Sequence, residues 1–363
     1  MPVDLNALGT APRILIEAAL KPVAGTRIQP TGFPDLGPAT YDAPDGRGGV
    51  VPTLLVESAQ SMANRLEAVC WDEATDDIAP ELKGLPFVKV RLAGLGDGTD
   101  TTSSLLEFHR LNSPYIMNGA ADGGRPFADV VRAQLGLASA PAKKASKKNA
   151  EAAPAEDGGE TERDDVAGVV NLRKLAAVCF KYDPNSLVHG VFLEKIAGRL
   201  RHPRALSAFI EASGVGRADS GGVKFDRALP RPKVAGVDAK GGYGNVPFHR
   251  TEFTARSITA FFSLDLAQIR GYGLPAEAAE LLATLSLWKI RRFLESNMRL
   301  RSACELEVDE KAGGIRAGRP EGFTLPATAE LTDRIAGLIA ACKPHFAKPT
   351  MTTLTWNKPG GKE

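Results

Sequence analysis

The sequence predicts an α+β fold in which helices cover one face of a sheet. Short segments with alternating apolar residues are interleaved with longer segments whose apolar residues recur at helical spacing. Strands and helices that each have one apolar face bury those faces by packing against one another. Apolar residues make up 43% of the 363 residues and charged residues 24%, which is typical of a soluble globular protein with a sizeable core.

The predicted elements follow in order along the chain. Strands are predicted at residues 13–20, 87–92, 204–212, 253–264 and 304–308, and helices at residues 53–71, 275–301 and 328–342. A loop rich in Gly and Pro is predicted at 25–49, whereas the apolar segments 172–180 and 187–200 favour neither type. The segment 275–301 is the clearest helix, because Pro275 suits a first turn and the following apolar residues repeat at helical spacing.

Residues 138–165 interrupt this pattern. They are mostly Ala, Lys, Glu, Pro, Gly and Asp, and their charge changes from basic to acidic along the segment. Such a composition cannot offset the entropy lost on ordering. The sequence therefore predicts a disordered, solvated insertion within one subunit that spans residues 1–363.

The overall charge is almost balanced, with 45 Lys and Arg residues against 43 Asp and Glu residues. Attraction to nucleic acid therefore depends on where the cations cluster. The four cysteines and five histidines are scattered without metal-ligand spacing, which predicts reduced thiols, no metal and no cofactor. No apolar run approaches the ~20 residues of a membrane helix. We expect a cytoplasmic protein that does not contact a membrane.

The common catalytic motifs are absent from the sequence. It contains no phosphate-binding GxxxxGK[ST] loop, no HExxH and no GxSxG, so we expect a protein that is not an enzyme. Asp97 and Asp100 lie in a Gly- and Thr-rich turn and form a candidate metal-binding pair, although Asp and Gly are ordinary turn residues.

Polar side chains crowd the first turns of the helix predicted at 53–71. Hydrogen-bonding groups beside the positive end of a helix suit a phosphodiester. The Gly-rich stretch at 46–49 just before it offers backbone amides for the same purpose. A capped, solvated surface helix is the alternative interpretation. The candidate RNA-binding residues here are Ser58, Gln60, Ser61, Asn64 and Arg65.

The segment 199–256 carries eleven Lys and Arg residues against five Asp and Glu residues. Its centre is rich in Gly and Pro, which is typical of a long excursion that follows single-stranded nucleic acid, with cations on phosphates. A solvated basic loop that binds nothing is the alternative. The candidate RNA-binding residues are Arg199, Arg201, Arg204, Arg231 and Lys233.

Five segments carry a resemblance to a known family. They are residues 27–37, 55–67, 110–116, 189–193 and 261–273, and they include a Ser-x-Gln-Ser helix motif and a distant Asp-Leu-Ala-Gln motif. With them the chain resembles the type I-G (formerly I-U) CRISPR backbone subunit, a branch of the RAMP superfamily. The resemblance spans most of the chain outside 138–165.

The resemblance implies a fold and a function. The fold is an RRM-like (ferredoxin-like) palm with large insertions and a protruding thumb loop, expected at 214–250. The function is to bind guide RNA (crRNA) within a Cascade surveillance complex, in head-to-tail copies, so that the guide pairs with target DNA. The large subunit and the guide-processing subunit are the implied partners. The RNA-binding residues implied in this way are Arg27, Gln29, Ser58, Gln60, Ser61 and Arg65, and the resembling segment 110–116 adds Arg110 and Asn112 as candidates.

One departure from an ordinary RRM concerns the sheet, where no Phe or Tyr cluster is evident on a candidate central strand. We therefore expect RNA across the helix and loops and not on the sheet face. Two alternatives stay open. One is a backbone subunit that cleaves target RNA through a loop aspartate, with Asp97, Asp100 and Asp219 as candidates; the other is a general RRM-like protein for single-stranded RNA.

Overall fold

The structure is a computed structural model that describes residues 10–33, 35–93, 95, 100–121, 124–137, 169–198, 200–224, 227 and 245–357. The predicted insertion at 138–165 lies outside the described residues, as do most of the predicted thumb and the residues Asp97, Arg199, Arg231 and Lys233. No helix in the described part of the chain is both long and apolar enough to cross a membrane.

The strands vary from two to ten residues. Before residue 138 they are β1 (Arg13–Pro22), β2 (Arg27–Ile28), β3 (Gly32–Phe33), β4 (Gly37–Pro38), β5 (Thr40–Pro44), β6 (Val50–Glu57), β7 (Trp71–Asp72), β8 (Asp77–Ile78), β9 (Phe87–Ala93) and β10 (Thr101–Ser103). After residue 168 they are β11 (Val191–Phe192), β12 (Arg201–His202), β13 (Leu206–Ser213), β14 (Gly216–Lys224), β15 (Val246–Thr254), β16 (Ser257–Asp265), β17 (Met298–Arg301), β18 (Cys304–Val308), β19 (Ile315–Arg319) and β20 (Met351–Asn357).

Helices also occur both before residue 138 and after residue 168. They are α1 (Ala59–Ala68), α2 (Pro114–Met117), α3 (Phe127–Leu135), α4 (Leu172–Tyr182), α5 (Asn185–His189), α6 (Glu194–Ala197), α7 (Leu266–Gly271), α8 (Ala276–Glu295) and α9 (Thr328–Cys342).

The main sheet is antiparallel and curled into a half-barrel. Its strand order is β17-β18-β1-β16-β13-β6-β5, and β19 also pairs with β1. A smaller sheet has the order β10-β9-β20, in which β9 and β20 run parallel. The predicted combination of a sheet with helices is confirmed.

Strict alternation along the central strands gives the main sheet one buried face. Ile14, Ile16, Ala18 and Leu20 of β1 are buried, and the residues between them are partly exposed. The same alternation in β13 and β16 turns four apolar residues of each strand to the same side. Helices α1 and α8 pack there, and α9 packs on α8. The core therefore lies between the sheet and this helix layer.

The opposite face of the sheet carries aromatic residues that were not expected. Phe209 of β13 and Phe261 of β16 are directly opposed in register. Their rings stack with centroids 5.1 Å apart. The prediction that no aromatic cluster lies on a central strand is wrong in this respect, because the two residues come from strands far apart in the sequence.

Three predicted boundaries are wrong. Residues 53–71 form the end of β6 followed by α1, because Ser58 ends the strand and its Oγ accepts the Ser61 N–H at 3.3 Å as a helix cap. The helix predicted at 275–301 ends at Glu295, and β17 follows. The strand predicted at 253–264 is divided into β15 and β16 by a turn.

The Gly-rich stretch at 46–49 is the turn between β5 and β6 and does not precede a helix. Asp45 Oδ1 accepts the backbone N–H groups of Arg47 at 2.7 Å and Gly49 at 2.9 Å. These amides therefore already have an internal acceptor, and the prediction that they form an anion site at a helix end is wrong.

The described part of the predicted thumb is a two-stranded ribbon. Strands β14 and β15 pair from Gly216 opposite Thr254 to Lys224 opposite Val246. The base of the ribbon is joined by β2, with Ile28 opposite Phe253. The ribbon is thus anchored to the loop that follows β1.

Gly190 joins α5 to β11 in a backbone conformation that other residues rarely adopt, with φ 81° and ψ 153°. A Cβ at this position would lie 3.0 Å from the carbonyl oxygen of His202. We expect Gly190→Ala to lower the free energy of unfolding by about 2–3 kcal/mol, measured by urea denaturation. Gly271→Ala is the control, because Gly271 lies in α7 with no atom within 4 Å of the added methyl group. Equal effects of the two substitutions would contradict this account.

Candidate nucleic-acid interface

The N-terminus of α1 meets Arg204, which precedes β13. Ser58 caps the helix, and Gln60 on its first turn accepts a hydrogen bond from Arg204 Nη2. Burial and the nearby Arg110 guanidinium both lower the pKa of Arg204, which is half-buried. The structure thus brings together three predicted site residues, Ser58, Gln60 and Arg204, beside a positive helix end.

A buried carboxylate next to this helix end is flanked by two arginines. Glu57 is completely buried, and Arg65 Nε donates to it at 2.8 Å. Arg301 Nη2 and Ser61 Oγ donate to the same carboxylate. Arg301 also donates to the carbonyl oxygen of Gln29 at 3.1 Å. One carboxylate against two partly exposed guanidinium groups leaves an excess of positive charge at the surface.

The same arrangement is repeated at the base of the ribbon. Glu252 of β15 is buried and lies between Arg27 of β2, at 3.2 Å from Nη1, and Arg250. Arg27 also donates to Ser220 Oγ at 3.3 Å, and its side chain is more than half exposed. Because Gln29 is two residues from Arg27 and contacts Arg301, the two arginine pairs are connected through the β2 segment.

Together these groups form one surface, which we call the arginine surface. Its members are Arg27, Ser58, Gln60, Arg65, Arg204, Arg250 and Arg301. Sequence reasoning missed Arg250 and Arg301. The helix predicted at 275–301 ends at Arg301, and no sequence signal shows that this residue lies in β17 and contacts Glu57. Arg250 is one of the eleven Lys and Arg residues of the segment 199–256, and the sequence does not distinguish it from the others.

Several predicted site residues have internal roles. Arg110 is only 5% exposed, and its guanidinium donates to Glu67 at 2.6 and 2.7 Å and to the Gly190 carbonyl oxygen at 3.1 Å. A guanidinium used in this way is unavailable to a phosphate at the surface. Asn64 and Asn112 each have a buried side-chain oxygen without a partner in the described residues. The Ser61 hydroxyl donates a hydrogen bond to the buried Glu57 carboxylate.

Behind α1 lies a buried polar network. Lys289 of α8 is completely buried, with Nζ 2.8 Å from His189 Nε2. Burial, followed by the Lys289 charge, holds the pKa of His189 well below its usual value. Burial raises the pKa of Glu67 and of Asp183, although Lys289 opposes both shifts. The network thus joins α1, α5 and α8 through neutral His189 and oppositely charged groups.

Beside Arg204, the β11–β12 hairpin presents an aromatic residue paired with a cation. Phe192 lies opposite Arg201 in register. The guanidinium carbon of Arg201 is 5.9 Å from the ring centroid, a cation–π arrangement. Arg201, a predicted site residue, is exposed at this place.

Of the candidate catalytic aspartates, Asp100 and Asp219 lie in the described part of the chain and are not arranged as a metal site. Asp219 on the ribbon is exposed and pairs with Arg217 at 3.0 Å and His249 at 3.4 Å. Hydrogen bonding from Arg217 lowers the pKa of Asp219. Asp100 is exposed just before β10. Within the described ranges, no three His, Cys, Asp or Glu residues are grouped so that they could hold a metal ion.

The sequence comparisons assign the chain to the CRISPR-associated proteins. The family described as CRISPR-associated protein GSU0053 matches residues 14–217. Because this match covers more than half of the chain, the protein belongs to that family. The matched region contains Arg27, the whole of α1 and Arg204.

Two solved structures show weaker similarity. One chain of a "CRISPR RNA-guided surveillance complex, pre-nicking" is 16% identical with a TM-score of 0.38, over 91% of this chain and 89% of that chain. Csc2 of Thermofilum pendens is 9% identical with a TM-score of 0.30, over 95% of this chain and 80% of that chain. No curated protein matches the sequence. The family assignment rests on the sequence match alone.

Proposed function

We propose that this protein is the non-catalytic backbone subunit of a type I-G CRISPR surveillance complex and binds guide RNA along its spacer. The arginine surface is the observation that carries this proposal. Its guanidinium groups, helix end and neutral polar side chains suit phosphates, whose contacts carry no sequence information. Contacts of this kind accept any guide sequence, while base pairing reads the target.

The strand order supports an RRM-like palm. In the main sheet, β18, β1, β16 and β13 are adjacent in that order, with α1 between β1 and β13 along the chain and α8 between β16 and β18. This is the connectivity of a split βαβ, ferredoxin-like fold. The ribbon of β14 and β15 supports a thumb at 214–250, since it extends from the edge of the arginine surface.

In this proposal the partners follow from the backbone role. Copies of the chain lie head to tail along one crRNA, so RNA length sets their number. The bound guide pairs with target DNA, and the large subunit and the guide-processing subunit complete the complex. A general RRM-like protein for single-stranded RNA would instead bind short RNA as a monomer.

Target-RNA cleavage is the second candidate function. The observation that favours it is the exposed Asp219 on the ribbon, 3.4 Å from His249. Cleavage of complementary RNA by the wild-type protein, lost in Asp219→Ala, would replace the non-catalytic proposal.

Purification of tagged protein co-expressed with a repeat–spacer array tests the backbone role. We expect bound RNA of spacer sequence and a particle mass that requires several protein copies per RNA. A monomer without RNA, or one that carries unrelated transcripts, would contradict the proposal.

Arg204→Ala tests the arginine surface directly. Loss of one phosphate contact is expected to weaken RNA binding about tenfold and to reduce the slope of log K against log salt concentration by about 1. Fluorescence anisotropy at several salt concentrations measures both quantities. Arg334→Ala is the matched control, because Arg334 is an exposed cation of α9 paired with Glu280 and lies outside the arginine surface. An unchanged salt slope in Arg204→Ala would show that Arg204 does not contact an RNA phosphate.

A further inference from the structure

The hairpin of β11 and β12 turns one side chain of each strand inward and the other outward. Val191 and His202 are buried, whereas Phe192 is 50% exposed and lies opposite the exposed Arg201. A single exposed Phe is common on protein surfaces and does not by itself indicate a site. Here the ring is held by a cross-strand partner whose guanidinium carbon lies 5.9 Å from the ring centroid.

This pair is continuous with the arginine surface. A Cβ built on Gly190 would be 3.1 Å from the backbone nitrogen of Arg204, so β11 begins in contact with Arg204. Arg204 in turn donates to Gln60 at the helix end. Phe192 is two residues further along an extended strand, about 7 Å from Gly190. A nucleotide whose phosphate lies at Arg204 therefore has an exposed aromatic ring within reach of its base.

We propose that Phe192 and Arg201 form a stacking site for an unpaired base of single-stranded nucleic acid. The base lies on the exposed part of the Phe192 ring, and Arg201 holds that ring in place through its cation–π contact. Every base has a π-face, so this site accepts any sequence, as a guide-binding surface requires. The inference rests on the proposed function, and it adds a base contact to a surface otherwise composed of phosphate-binding groups.

An unpaired base can come from the guide RNA or from a DNA strand near the complex. The stacking chemistry is the same, so the two sources are separated by experiment. RNA and DNA oligonucleotides of one sequence, each with a single 2-aminopurine at successive positions, are titrated with the full-length protein freed of nucleic acid. Stacking on an aromatic ring quenches 2-aminopurine fluorescence.

We expect quenching at particular positions with wild-type protein and with Phe192→Trp, and its loss with Phe192→Ala. The affinity of Phe192→Ala should fall about tenfold, whereas the salt slope stays unchanged because no phosphate contact is removed. Quenching with RNA alone identifies a guide base, and quenching with DNA as well identifies a site that accepts both strands. Leu172→Ala is the control, since Leu172 is an exposed apolar residue on α4, which packs with α3 and α5.

Wild-type quenching and affinity in Phe192→Ala would overturn the stacking site and leave the proposed function intact. The site is also overturned if Phe192→Ala changes only self-association in sedimentation, because Phe192 would then contact a second copy. If wild-type protein binds neither oligonucleotide, the proposed function fails and the stacking site fails with it.

Discussion

Replacing Lys289 with methionine is expected to lower the free energy of unfolding by about 3–5 kcal/mol at pH 7. Methionine preserves most of the volume, so the change removes the charge without a large cavity. The loss leaves buried Glu67 and Asp183 with too little compensating positive charge, and it removes the ammonium group that donates to His189. Urea denaturation of the two proteins measures the difference.

The loss of unfolding free energy in Lys289→Met should become smaller as the pH is lowered from 7 to 5. Burial already raises the pKa of Asp183 and Glu67, and Lys289 partly opposes this. Without Lys289 both pKa values rise further, so the folded variant takes up protons at a higher pH than the unfolded chain. A raised carboxyl pKa contributes stability at low pH that is lost as the pH rises through the folded value. Lys289 also lowers the pKa of His189. Without Lys289, protonation of buried His189 at low pH therefore costs less free energy of unfolding.

Arg292→Met is the control for this prediction. Arg292 lies on the same helix, but it is exposed and its distance to Glu81 is 3.7 Å. An exposed pair of this kind contributes about 0–1 kcal/mol. Two results would contradict the charges assigned to the buried network. One is a loss of unfolding free energy in Lys289→Met no larger than that in Arg292→Met, and the other is a loss that grows as the pH is lowered.

Replacing Glu57 with glutamine is expected to lower the free energy of unfolding by about 3 kcal/mol. Glutamine has nearly the same shape but no charge, so Arg65 and Arg301 would repel each other without a shared counterion. Its amide nitrogen would also face a guanidinium donor, and two donors cannot form a hydrogen bond. The measurement is again urea denaturation, at low and high salt, because salt should reduce the repulsion between the exposed parts of the two arginines.

Glu305→Gln tests whether burial causes this effect. Glu305 pairs with Arg299 at 3.3 Å on the β17–β18 hairpin that also carries Arg301, but both side chains are exposed. The expected change is about 0–0.5 kcal/mol. Equal losses in Glu57→Gln and Glu305→Gln would mean that Glu57 does not organise the two arginines.

Much of the fold was predictable where one periodicity dominates. Strands β1, β9 and β18 and helix α9 lie close to their predicted positions, because each has clear alternation or helical spacing. The segment 53–71 was not predictable in this way. Its first apolar residues, from Leu54 to Val56, fit a buried strand and a helix equally, and only sheet pairing with β5 and β13 decides between them.

The candidate site was partly predictable for a related reason. Ser58, Gln60 and Arg65 lie on consecutive turns of one helix, so local sequence was enough to place them together. Whether an arginine reaches the surface depends on distant partners that local sequence does not contain. Arg110 is internal because it donates to the Glu67 carboxylate and to the Gly190 carbonyl oxygen. Arg301 contacts Glu57 only when β17 has paired at the edge of the main sheet.

The parallel pairing of β9 with β20 limits the order in which this protein can fold as it is synthesised. Phe87 is paired with Met351, so β9 is made long before the strand that covers one of its edges. At synthesis rates of about 5–20 residues per second, that edge stays open for tens of seconds. An unpaired strand edge is a template for aggregation during this interval. Nascent chains of this protein are therefore expected to depend on chaperones until the smaller sheet closes.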